Sequence, residues 1–507
     1  MVEPKAWQVT AGSAAIGLAL AAVAVVAAGP WDSGQRKAER EWAVAQGRAG
    51  GAHHGPSAPR TPAPAPSAAG VLAALAAPDT TRSGTGRSGT AHPESAHPRS
   101  TRPEAARGTG SPDFGRTLGR LLDADALGPS RTASVVDTAT GEVLYGRGAA
   151  TPMTPASTIK IATTAAALSA LGPDHRIPTL VLATPDRRRL TLVGGGDATL
   201  DRKRLAALAG DTARALRDSG VTKVELRYDT SLYTGPREHP IGPNDNIAPV
   251  VPLMAGQGRL DASTTGPAPR SGNPAGDAAR TFASLLRDRG VRTAEPPSAG
   301  RAAKGSERIA RTFSAPLSDL VERALTESDN DIAESLARQT AIAAGEPASF
   351  AGAGRAVTAE LARLRLPLKG TRLADGSGLN RKDKASAALL TALLTRAADP
   401  HHPELRPVLT GLPVAGFTGT LRSRYGDTSP AAGLVRAKTG TLTGVNALAG
   451  TVVDGDGRLL AFAFLAGRTE APDTAQTALD RLSAALVPRT AASEPPAPLP
   501  ARESAAP

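Results

Sequence analysis

The stretch TPASTIKIATTAAALSALGP, Thr154 to Pro173, sets a serine three residues before a lysine at the start of an apolar run. Thr154 is a fitting N-cap ahead of proline at the first helical position, and Gly172-Pro173 is a stop, so the stretch predicts a helix of about five turns. Ser157 and Lys160 then share one face, within hydrogen-bonding reach. Ile159, Ile161, Ala162, Ala165 and Leu168 make the rest of the helix apolar, as a central core helix requires. Burial and the positive helix N-terminus both disfavour an ammonium there. A fall from ~10.4 to ~7 corresponds to about 4–5 kcal/mol, which burial of a lysine supplies. A neutral Lys160 amine can take the proton of Ser157 as the oxygen attacks a carbonyl, with the helix N-terminus stabilising the oxyanion. The alternative is a lysine snorkelling outward beside an ordinary serine, so the site needs further parts.

The whole chain sets bounds on those parts. It has 507 residues, 40% of them apolar, enough for one large domain or two closely joined ones. The net charge is +12, but aromatic residues make up only 3%, too few for base-stacking platforms, so nucleic acid is not expected and an anionic surface or polymer is the better partner. No cysteine is present, which excludes disulfides, thiolate nucleophiles and Cys-ligated zinc. After Lys5, the uncharged run from Trp7 to Gly29 has the length of a membrane-spanning helix, read as a retained anchor with a cleaved signal peptide as the alternative.

The organisation expected is a cytoplasmic tip with anchor or signal peptide over 1–30, and a disordered Pro/Gly/Ser/Arg-rich spacer over 31–112. A catalytic domain follows over 113–172 and 315–488, with an inserted lobe over 173–314 and a disordered tail over 489–507. TASVVDTATGEVLYGR, Thr132 to Arg147, predicts a hairpin turning at Thr140-Gly141. VNALAGTVV and RLLAFAFLAG predict a second hairpin near the other end, followed by a helix from about Asp473 to Val487. Strands at both ends with helices between imply an α+β fold, an antiparallel sheet assembled from both chain ends and flanked by helices. The lobe shows three short strands, TLVLAT, RLTLVG and KVELRYD, and one helix, AARTFASLLRDRGV.

Two further motifs fall on suitable elements. Ser328-Asp329-Asn330 lies between two helices; Ser328 offers a proton relay and Asn330 an amide for a substrate carbonyl, although all three are also ordinary capping residues. Lys438-Thr439-Gly440-Thr441 begins a strand. There Gly440 lets a bound peptide approach the backbone, Thr439 can bond a carboxylate, and Lys438 adds charge for an anionic terminus. S-x-x-K, S-x-N and K-T-G in this order are the set shared by penicillin-binding proteins and class A β-lactamases.

With Gly194-Gly195-Gly196-Asp197, Asp375-Gly376-Ser377-Gly378-Leu379, Leu412-Pro413 and Gly419-Thr420-Leu421, the chain resembles the D-alanyl-D-alanine carboxypeptidase/endopeptidase family of class C low-molecular-mass penicillin-binding proteins. The resemblance implies a penicillin-binding-protein/β-lactamase-like domain with an extra lobe between the first two motifs. It implies Ser157 as nucleophile, Lys160 as base, Ser328 and Asn330 as the second wall, and Lys438, Thr439, Gly440 and Thr441 as substrate-binding, with the Ser157 and Thr441 N–H groups as oxyanion hole. Thr418 departs from the acidic residue that relatives often carry.

The implied activity is a serine-type D-Ala-D-Ala carboxypeptidase/endopeptidase acting on peptidoglycan stem peptides or cross-links and acylated by β-lactams. No cofactor and no metal are expected. The N-terminal segment would contact the membrane, the basic spacer would suit anionic wall polymers, and the enzyme would work outside the cytoplasm, anchored in the bacterial cytoplasmic membrane or secreted to the wall. A serine β-lactamase is one alternative, though no Glu-x-x-x-Asn stands between Lys160 and Ser328. A non-catalytic wall-binding or β-lactam-sensing module is another. A Ser-His-Asp hydrolase fits less well, because the folded part has only His175, His239, His401 and His402 and no convincing nucleophile elbow.

Overall fold

The computed structural model describes residues 112–426 and 429–487. The expectations for 1–30, for nearly all of 31–112 and for 489–507 fall outside the described residues. Among the described residues, no helix is long and apolar enough to cross a membrane.

Helix α1 (Pro112–Leu122) leads into strands β1 (Ser130–Asp137) and β2 (Val143–Arg147). Their turn is closed by Asp137, whose Oδ1 accepts from the Ala139 and Thr140 N–H groups, and by Gly141 at φ 74°. Helix α2 (Lys160–Leu171) follows. The lobe comprises β3 (Pro178–Ala183), β4 (Arg189–Gly194), α3 (Arg202–Arg217), β5 (Lys223–Asp229), α4 (Pro274–Arg287), β6 (Arg292–Thr293), β7 (Ser298–Ala299) and β8 (Glu307–Phe313). Then come α5 (Leu317–Thr326), α6 (Asn330–Ala343), α7 (Phe350–Arg363), α8 (Ala387–Ala398) and α9 (Arg406–Thr410). Strands β9 (Arg436–Leu442), β10 (Val445–Val453) and β11 (Leu459–Gly467) and helix α10 (Pro472–Ala484) complete the order.

The main sheet runs β2-β1-β11-β10-β9 with every pair antiparallel, so both chain ends meet in it. Both its faces are covered. On β11, Leu460, Phe462 and Phe464 enter a core with Leu118, Leu122, Leu479 and Leu482 of α1 and α10. The intervening Ala461, Ala463 and Leu465 enter the core shared with α2 and α8. This period of two puts small residues where a helix lies close and large rings where there is depth. Each buried phenylalanine contributes about 1.5–3 kcal/mol.

The lobe differs from its sequence reading in having a second helix, α3. Asp201 caps it by accepting from Arg204 N–H, and Leu205, Leu208, Ala209, Thr212, Ala213 and Leu216 bury one face at helical spacing. α3 makes the crossover between the parallel strands β4 and β5, and the lobe sheet runs β6-β5-β4-β3-β8 with β7 against β5. Its interior is continuous with that of the central helices: Val181, Leu205 and Phe282 belong to one core with Ile161, Leu168 and Leu336. The glycine run after β3–β4 docks on α6, where Gln339 Nε2 donates to the Gly195 carbonyl at 2.7 Å and Ser335 donates to that of Gly196. A Cβ on Gly195 would stand 1.9 Å from the Pro178 oxygen, which leaves room there for glycine alone.

Candidate active site

The nucleophile candidate sits on a tighter turn than an α-helix start. Residues Ala156–Ile159 form a 3-10 turn, α2 begins only at Lys160, and buried Ala156 is held at φ 47°, a costly conformation for a residue with a Cβ. Thr154 does not cap this turn: its hydroxyl accepts from Lys384 Nζ at 2.8 Å and faces the Arg381 carbonyl. Tertiary partners outcompete the local cap. The turn is instead clamped between two glycines. A Cβ on Gly378, itself at φ 84°, would lie 2.1 Å from the Ala156 carbonyl oxygen, and one on Gly440 would lie 2.6 Å from that of Pro155. Gly440 is therefore buried against the nucleophile turn.

Lys160 is fully buried, with its Nζ 3.0 Å from Ser157 Oγ, 2.7 Å from Asn330 Oδ1 and 2.6 Å from the Ser377 carbonyl. Desolvation pulls its pKa down to about 8, opposed chiefly by the charge of Asp375 and then by those of Asp329 and Glu334. The amine is thus neutral in roughly a tenth of molecules at pH 7 and in half near pH 8.

The second motif divides its labour. Ser328, at φ 56°, lines the cleft without a hydrogen bond to Ser157 or Lys160. Asp329 caps α6 through Ile332 N–H and also accepts from Gln257 Nε2 of the lobe at 2.6 Å. Asn330 spends both ends of its amide on the protein, because its Nδ2 donates to the Asn246 carbonyl at 2.9 Å while its Oδ1 faces Lys160. It thereby orients the lysine.

On β9, Thr439 and Thr441 line the cleft, while Lys438 and Gly440 lie behind them and are buried. Lys438 donates to the Thr439 carbonyl at 3.0 Å, and burial together with the nearby charge of Lys160 pushes its pKa well down. Thr439 is set by a 2.9 Å bond to Thr420. Thr418, the departure from relatives, accepts from Val414 N–H at 2.8 Å and so holds the turn that carries Thr420.

A buried network behind Lys160 went unread in the sequence. Glu334 Oε1 accepts from the Gly376 and Ser377 N–H groups at 2.9 and 3.0 Å, and Asp375 folds its own loop. Burial, then the charge of Asp375 and a hydrogen bond to it, raises Asp383 to about 10, so it is protonated at neutral pH. His239, Glu334 and Asp375 bring potential metal-ligating atoms within 4.8 Å of one another. Asp375 already accepts from His239, Ser377, Gly378 and Asn380, while Glu334 Oε2 is buried with no hydrogen-bond partner and lies 3.8 Å from Arg338. The loop Asp375–Leu379 had carried only the resemblance, and a motif that rich in glycine beside an aspartate was its available signal.

The cleft, about 370 Å³, is walled on the lobe side by Asn246, Arg259, Pro267 and Arg270. It brings together Ser157, Ser328, Asn330, Thr439 and Thr441, with Lys160 beneath.

Comparison with known proteins gives the family. The model of the D-Ala-D-Ala carboxypeptidase 3 (S13) family matches residues 117–272 and 258–486. Carboxypeptidase DacB of Mycolicibacterium smegmatis is 39% identical over 393 residues, 74% of this chain and 81% of the relative. A D-alanyl-D-alanine carboxypeptidase of an Actinomadura species is 30% identical over 433 residues, 67% of this chain and 78% of its own. In fold, penicillin binding protein 4 of Haemophilus influenzae superposes with a TM-score of 0.62 over 72% of this chain and 97% of that one, at 21% identity. The chain belongs to the D-Ala-D-Ala carboxypeptidase 3 (S13) family of peptidases.

Proposed function

We propose that the protein is a serine-type D-Ala-D-Ala carboxypeptidase/endopeptidase that hydrolyses peptidoglycan stem peptides or cross-links through an acyl-enzyme on Ser157, and that penicillin acylates the same oxygen. The observation that carries this reading is a fully buried lysine amine 3.0 Å from the Ser157 hydroxyl at the floor of an open cleft. The neutral Lys160 amine takes the Ser157 proton as Oγ attacks the carbonyl between the two D-alanines. The N–H groups of Ser157 and Thr441 receive the oxyanion, and the hydroxyls of Thr439 and Thr441 receive the substrate carboxylate. The proton passes to the departing amine by way of Lys160 or Ser328, D-alanine leaves, and a water directed by the same groups cleaves the ester.

With a β-lactam the leaving amine stays tethered through the opened ring and obstructs that water. A class A β-lactamase uses a further glutamate to drive deacylation; Glu327 lines the cleft but bonds neither Ser157 nor Lys160. Peptidoglycan as substrate supports a place outside the cytoplasmic membrane, where the N-terminal segment would act as a tether or be cleaved to release the enzyme. A flexible spacer of roughly 65 residues would give about 40–50 Å of reach, and its arginines would suit anionic wall polymers. The test is D-alanine release from a synthetic pentapeptide ending in D-Ala-D-Ala. Steady release by the wild type supports the reading, and a protein that labels with penicillin yet neither releases D-alanine from pentapeptide nor splits a cross-linked dimer into its two peptides would turn it into a sensor.

A further inference from the structure

We infer that His239, contributed by the lobe, is a positioning residue for the Lys160–Ser157 pair, acting through Asp375 and the Ser377 carbonyl; this rests on the reading of Lys160 as the base. The two parts of the molecule meet around the lysine at more than one point: Asn330 links Lys160 to the Asn246 carbonyl of the lobe, and behind the lysine the His239 imidazole of the lobe reaches Asp375.

The His239 ring is buried and its tautomer is set by its neighbours. Nδ1 accepts from the Ile241 N–H at 3.3 Å, so the proton resides on Nε2, which donates to Asp375 Oδ2 at 2.8 Å. Phe350 meets the ring edge-on, with centroids 5.4 Å apart at 85°. Ring plane and donor direction are thereby both fixed. Asp375 in turn gathers Gly378 N–H at 2.7 Å, Asn380 N–H at 2.8 Å and the Ser377 hydroxyl at 3.2 Å, so one carboxylate folds the loop around itself. Two side chains from beyond the loop also bond that carboxylate, Asp383 just after it and His239, and His239 is the one the lobe supplies.

The fold of this loop decides where the Ser377 carbonyl points. That oxygen is 2.6 Å from Lys160 Nζ and accepts from Ser157 Oγ at 3.4 Å, so it touches both members of the pair. The loop is also the clamp on the nucleophile turn, because Gly378 packs on the Ala156 carbonyl. A loop anchored on a lobe residue thus sets the base, its hydrogen-bond acceptor and the nucleophile at once. The charged and titratable groups acting on Lys160 are Asp375, Asp329, Glu334 and Asp383, with the second buried lysine, Lys438, nearby and Arg338 beyond Glu334. His239 touches the first of these.

Asparagine and glutamine separate the two ring nitrogens. His239→Asn places an amide where Nδ1 stands and keeps the Ile241 contact but not the reach to Asp375; His239→Gln carries its amide to the Nε2 position. The full chain of each variant is titrated with fluorescent penicillin, reading both the final adduct per chain and the acylation rate constant at saturating drug. The wild type must first be acylated at Ser157, and failure there overturns the reading of the site and not the role of His239. The expected result is an undiminished final adduct in both variants, with acylation slowed about tenfold or more in His239→Asn and within about threefold of wild type in His239→Gln. Equal rates in the two variants, fast or slow, would overturn the inference. So would a loss confined to the final adduct, since that is what a merely structural residue gives.

Discussion

On one side of the cleft, Ser157, Thr439 and Thr441 come from elements packed on or within the five-stranded sheet; on the other, Asn246, Arg259 and Arg270 come from the lobe. The sheet side is made by backbone meeting backbone at distances that exclude a Cβ, with glycines at 378 and 440 gripping the nucleophile turn. The lobe side is made by side chains that spend their polar atoms on the protein. Arg259 donates to Gln257, Ser263 and the Thr265 and Gly266 carbonyls, while Arg270 donates to the Gln257 and Ala268 carbonyls and to Asp331 at 2.7 Å. Both arginines line the cleft, yet their donors shape the 259–270 hairpin and tie it to the second motif. Reacting atoms belong to one wall and their orientation to the other, so a cation on a wall is not by itself an anion site.

This contrast is broken most directly at Ser157. Ser157→Ala should abolish labelling by fluorescent penicillin and D-alanine release while leaving the melting temperature within a few degrees, because one small polar atom leaves a turn held by other contacts; labelling at the wild-type rate would remove Ser157 from its role. Lys160→Arg comes next. Guanidinium cannot become a neutral base, so acylation should fall by about 10²–10⁴, and a rate near wild type would assign the proton transfer elsewhere. Gly378→Ala tests the clamp: a Cβ 2.1 Å from the Ala156 oxygen, at φ 84°, must push the turn away. The expectation is acylation slower by about 10–100-fold with about 1–3 kcal/mol of lost stability. Wild-type kinetics with full stability would show that the turn tolerates movement.

The pH profile sharpens the same contrast. Acylation needs the neutral amine, so its rate should rise with pH through an apparent pKa of about 8. The charge of Asp375 favours the ammonium form, so Asp375→Asn should lower that pKa and move the rising limb to lower pH, whatever it does to the maximal rate. A limb that stays in place would free Lys160 from this carboxylate. The smallest effect is expected on the lobe side. Arg259→Gln should lower the melting temperature by about 2–4 °C and leave acylation within about threefold, whereas a tenfold loss would make the arginine a substrate ligand.

What the sequence disclosed follows from the range of the interactions. Ser157 and Lys160 are three residues apart, and local helical geometry alone brings them together, even though the turn proves to be 3-10 and not α. The two terminal hairpins were legible because their alternation and turn residues are local. Helix α3 was equally legible from its apolar spacing and went unread among many arginines. By contrast, the Thr154 hydroxyl is claimed by Lys384, 230 residues away, and His239 meets Asp375 across 136 residues. No periodicity reports such partners. The burial of Lys438 was hidden for a related reason, since a strand lysine reads as solvated until the neighbouring elements are known.

The central claim, that Ser157 forms the acyl-enzyme and cannot discharge a β-lactam, is tested by intact-protein mass spectrometry of the wild type. The protein is mixed with excess penicillin, free drug is removed, and the mass is followed over time, with digestion to locate the modified peptide. The expected result is one penicilloyl group per chain on the peptide containing Ser157, persisting for minutes or longer. An adduct on another residue, or its rapid disappearance with catalytic destruction of the drug, would contradict the account and make the enzyme a β-lactamase.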